Sequence, residues 1–145
     1  MMTPKRLAGE LVRRLDGPHA DEHTAATADL AAEAVRFLNY ATGSHSPAGM
    51  EFPSTAYLIA ADLSVAAGRM PQLFGQITRW LGDQLDAGML GTDDSTPPAE
   101  AVTAASGRFA RAAALAEALA AELSAAQNDL AAVNGYGPNR AERAA

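Results

Sequence analysis

Three side chains in the stretch HADEH, residues 19–23, have the types and spacing for metal chemistry. His19 and His23 stand four apart, so on a helix they project from one face and can grip a single ion through neutral imidazoles. Glu22 lies on a neighbouring face, where a carboxylate can act as general base towards a bound water. A third ligand is still required.

Read as H-x-x-E-H, the pentapeptide resembles the signature of the inverted zinc peptidases. That resemblance implies a third ligand from a glutamate some seventy residues downstream, and Glu100 stands at that distance from His23. Those peptidases are large α/β proteins, whereas this chain has 145 residues and few strand-forming ones. Glu100 also falls in the first turn of a helix, where the dipole alone favours an acid. The same holds for Asp21 and Glu22, while His23 continues the apolar stripe of Ala26, Leu30 and Ala34. HADEH is therefore read as the first turn of a helix, with no metal and no cofactor expected. His19, His23 and Glu100 are not expected to meet.

The elements around it are helical. Nearly half of the residues are apolar (48%), much of that alanine, and only 6% are aromatic. Alanine is the best helix former, and strands favour the β-branched and aromatic residues that are scarce here. The expected fold is all-α, an antiparallel bundle of four to five helices in one domain spanning 1–134, with a flexible tail over 135–145. The helices fall at about 3–15, 18–42, 54–68, 71–88 and 97–134. Pro4 after Thr3 opens the first, and Gly43 stops the second. Ser54 caps the third, Gly68 to Pro71 separates it from the fourth, and Thr96 caps the last.

The segment 54–68 carries one charge, Asp62. A helix that is apolar nearly all round is expected to be buried, with Asp62 as a buried charge paired to Arg36, Arg69 or Arg79. In the next segment Gly75 and Gly82 stand seven apart on one face, which suggests close approach of another helix, although tolerated surface glycine explains them as well. The last helix keeps a seven-residue period, with Val102, Phe109, Ala116, Leu123 and Leu130 in one row. Ala105, Ala112, Leu119, Ala126 and Val133 form the second. Unbroken, it would outrun the helix at 18–42, so either Ser106-Gly107 breaks it or its seam overhangs and needs a partner. Gly75, Gly82, Phe109, Leu119, Leu123 and Leu130 are the expected interaction residues.

Charge narrows the partners. The chain carries −6 overall, with a basic start (Lys5, Arg6, Arg13 and Arg14 against Glu10) and an acidic middle over residues 16–100. An acidic middle disfavours nucleic acid, because phosphate contacts need a basic surface. The basic first helix, with Arg6, Arg13 and Arg14, is the one segment expected to suit such contacts. There is no cysteine, which removes disulfides and thiol catalysis. No apolar run is long enough to span a bilayer, no signal peptide opens the chain, and a cytoplasmic location is expected. No P-loop, dinucleotide-binding glycine pattern or nucleophile elbow appears, and His45 between two serines reads as a surface histidine.

Residues 2–42 and 53–81 (PSTAYLIAADLSVAAGRMPQLFGQITRWL) together are similar to uncharacterised small all-helical proteins of actinobacteria, some of them encoded near plasmid or integrative-element genes. The resemblance implies a role in mobile-element biology and brings no functional residues. The expected function is a non-enzymatic helical interaction or adaptor protein that self-associates, as a dimer, or binds another helical protein. The alternatives are a nucleic-acid- or membrane-linked regulator using the basic first helix, and a metal-dependent enzyme through His19 and His23.

Overall fold

A computed structural model describes residues 20–43 and 49–135. Three helices make up the described residues: α1 (Asp21–Thr42), α2 (Pro53–Asp86) and α3 (Pro98–Leu130). They contain no strand, so the fold is all-helical, but three helices stand where four to five were expected. The chain divides into two compact units, Met1–Gly49 and Met50–Ala145. The first contains α1, the second α2 and α3. The expected helix at 3–15, the tail beyond Gly135, and His19, His45, Arg6, Arg13 and Arg14 lie outside the described residues.

In α1, Asp21 and Glu22 occupy the first turn, as the dipole favours, and Gly43 caps the end by donating its N–H to the Tyr40 carbonyl. Glu33 and Arg36, one turn apart, form an exposed ion pair, with Nε donating to Oε2 at 2.9 Å. The guanidinium pKa is raised by this pairing. No residue of α1 is buried, and Phe37 and Tyr40 are exposed.

The larger unit is a helical hairpin. The two helices expected at 54–68 and 71–88 are one continuous helix, α2, running through Gly68 and Pro71. Pro71 has no N–H to give the Ala67 carbonyl, which costs the ladder one bond. The helix survives because packing continues across the gap: Ala67 is buried, and Pro71 and Phe74 follow it on the side that meets α3. Tertiary contact overrides the local breaker.

This merger also settles the fate of the last helix. α3 runs unbroken through Ser106-Gly107 and does not overhang, since α2 at 34 residues matches its 33. Each is about 50 Å long at 1.5 Å per residue. The row Val102, Phe109, Ala116, Leu123 and Leu130 is buried or half-buried, so the heptad seam is spent within the chain. Of the second row, Leu119 and Val133 remain half-exposed.

The turn between them is tightly specified. Gly88 takes a left-handed backbone (φ 68°), which lets Gly88 N–H reach Leu85 O and Met89 N–H reach Gln84 O, both at 3.0 Å. This is the Schellman ending that glycine permits. Thr96 does not cap α3 as expected. Its N–H instead donates to Asp94 Oδ1 at 2.8 Å, and the helix starts at Pro98, with Pro97 at the cap. Thr92 Oγ1 closes the loop by donating to the Thr96 carbonyl at 2.6 Å.

Candidate interaction surface

The contact between α2 and α3 is made of small residues. Ala60, Ala67 and Ala116 are the buried apolar residues among those described, and no large side chain there is fully buried. Alanines let two backbones approach closely: a Cβ at Gly68 would sit 3.9 Å from that of Ala120. At the same level Ser64 Oγ donates to the Ala120 carbonyl at 2.8 Å. Further towards the turn the spacing is set by aromatics, with Phe74 and Phe109 stacked at a centroid distance of 5.7 Å. Both rings are half-buried.

Alanine burial contributes little compared with the ~1.5–3 kcal/mol of a fully buried large side chain. Several large side chains of the hairpin are half-buried between the helices, but others are exposed. Leu58 (59% exposed), Val65 and Leu73 lie on α2 with Trp80 (57%), and Leu115 (71%) and Leu119 lie on α3. The expectation that residues 54–68 form a buried helix is corrected by this: within its unit, α3 covers one side of α2, and Leu58 and Val65 on the other side are exposed. Asp62 is corrected with it. It is exposed and has no ion-pair partner among the described residues, because it lies on the side of α2 turned away from Ala60 and Ala67.

The other anticipated interaction residues divide into two groups. Phe109, Leu123 and Leu130 face α2 and serve the hairpin itself, whereas Leu119 is half-exposed beside that contact. Gly75 and Gly82 do not mark the approach of α3: a Cβ on either would meet nothing within 4 Å. The residue types of Leu58, Val65 and Leu73 suggest a core, but all three are surface residues, as is Leu115, which lies outside both heptad rows of α3. The signal for the three on α2 was present, since they do not share the seven-residue row of Ala60, Ala67, Phe74 and Leu81, all of which are buried or half-buried.

Three hollows lie along the hairpin. One of about 200 Å³ between Pro71, Phe74, Phe109 and Ala113 and one of about 270 Å³ under the turn fall below the usual range for ligand pockets, whereas one of about 450 Å³ along the loop reaches it in volume but is lined mostly by exposed residues, Gly91 to Asp94 and Ala101. Among the described residues no three histidines, aspartates or glutamates come together as a metal-binding group. His23 is half-buried on α1, and Glu100 is exposed in the first turn of α3. No described helix is long and apolar enough to cross a membrane. Neither a protein family, nor a curated protein, nor a solved structure matches this chain.

Proposed function

We propose that this chain is a non-enzymatic helical interaction protein whose hairpin is completed by helices from a second copy. One observation carries the reading: α2 and α3 bury alanines against each other and leave Leu58, Val65, Leu73, Trp80, Leu115 and Leu119 exposed. Large apolar side chains exposed in this number along two helices are often covered by a partner. A hairpin with so thin a core also gains its stability from association, so that folding and assembly are coupled.

Light scattering coupled to size exclusion, together with thermal unfolding over a hundredfold range of protein concentration, tests this. The expected result is an oligomer whose melting temperature rises with concentration. A strict monomer at high concentration, with a melting temperature that does not move, overturns self-association.

A further inference from the structure

We infer that two copies of this chain dock through the outer face of α2, running antiparallel about a two-fold axis beside Val65. The inference rests on the self-association proposed above and specifies its surface. Leu58, Asp62, Val65, Arg69 and Leu73 succeed one another in three- and four-residue steps, and so share one side of the helix. All five are exposed, and the side they form is opposite Ala60 and Ala67, which meet α3.

The charges on this face select the occupant. Asp62 and Arg69 lie two turns apart, about 10 Å along the axis, which is too far for them to pair with each other. Neither has an ion-pair partner among the described residues. Laid antiparallel so that Asp62 opposes Arg69 of a second copy, the same register sets Arg69 against the second Asp62. It also sets Leu58 against Leu73 of the second copy, and Leu73 against its Leu58. Val65 and the exposed Ala66 then sit at the axis, small enough for the helices to approach. Each favourable pair occurs twice, as a two-fold interface requires. A parallel, in-register pair would place Asp62 on Asp62 and Arg69 on Arg69, so like charges exclude it. The face is complementary to itself in one orientation.

Charge reversal in full-length protein tests the register. Asp62→Arg gives a chain with two arginines on this face, and Arg69→Asp a chain with two aspartates. Each variant alone should dissociate at least about tenfold more readily than the native protein, because both pairs in the dimer become repulsive. The double variant D62R/R69D should recover native association, since the swapped pairs attract again. An equimolar mixture of the two single variants should form a mixed dimer tighter than either variant makes alone. Circular dichroism on each variant reads helix content, and rescue by mixing reports pairing even if a single variant loses helix.

Single variants that associate like a native dimer overturn this docking face while leaving self-association intact. Single variants that weaken the dimer without rescue by the double swap or the mixture overturn the Asp62–Arg69 pairing. A monomeric native protein overturns the face and the self-association reading together.

Discussion

Phe74 on α2 and Phe109 on α3 stack with their ring centroids 5.7 Å apart and their planes tilted by 31°. They are the large apolar contact at the level where Pro71 interrupts the backbone ladder. The side chains thus hold the two helices together one turn from the place where α2 has lost a hydrogen bond.

Phe74→Ala and Phe109→Ala should each destabilise the hairpin by about 2–3 kcal/mol, short of the full-burial figure because both rings are half-exposed. The double variant should cost less than the sum, with a coupling of about 0.5–1.5 kcal/mol from the ring pair. Urea unfolding at fixed protein concentration measures all three. Strict additivity would mean that the rings do not interact.

Ser64→Ala removes the bond from Ser64 Oγ to the Ala120 carbonyl. The expected loss is about 0.5–1 kcal/mol, at the low end for a hydrogen bond, because a helical carbonyl keeps its own backbone donor and no orphan is left. A loss above about 2 kcal/mol would show that Ser64 does more than this one bond.

Three glycines should respond in opposite senses. Gly75→Ala and Gly82→Ala add a methyl in open space and remove the entropic cost of helical glycine, so each should stabilise by about 0.5–1 kcal/mol. Gly88→Ala forces a Cβ onto a backbone with φ 68° and should destabilise by about 1 kcal/mol. If Gly75→Ala or Gly82→Ala instead weakens association, the missing side chain makes room for a second copy. Thermal unfolding and light scattering on the same samples separate the two effects.

The Asp94 carboxylate accepts from the Thr96 N–H, and this hydrogen bond, ahead of one from the Thr96 hydroxyl, holds its pKa below the ordinary 3.8. A folded pKa below the unfolded one adds stability that is fully present above the unfolded value and is lost as pH falls through the folded one. The turn should therefore loosen only below about pH 4. In an NMR titration the Asp94 carboxyl should change at lower pH than a free aspartate side chain in an unfolded peptide, and the Thr96 amide should follow it. An ordinary midpoint at Asp94 would show that the bond does not form in solution.

Helix was legible across the described residues, because alanine abundance and the heptad row from Val102 to Leu130 depend on local spacing. What that row faces was not legible. Gly68 to Pro71 has every local mark of a boundary, and only the packing of Ala67, Pro71 and Phe74 against α3 carries the helix through it. Reading a break there made the last helix seem too long for any neighbour. It also made residues 54–68 seem like a central helix, which placed Asp62 in a core. Burial depends on how many neighbours a helix has, and composition does not state that number. The exposed face of Leu58, Val65 and Leu73 was hidden for the same reason, since these residues have the types of a core.

The matched helices join at one end only, so the chain that must be closed to make each contact grows steadily with distance from the turn. Leu81 and Val102 line one hollow beside the loop, whereas Pro53 approaches Gly135 at the open end. Loop closure grows costlier only slowly with length, so once the Schellman ending at Gly88 has formed, each further contact is nearly as easy to add as the last. Contacts near the turn join residues close in sequence and should form first, so such a hairpin should zip from its turn and fray at its open end. Covering the middle of α2 would then act as a clasp part-way along the zipper, arresting the fraying before it reached Phe74.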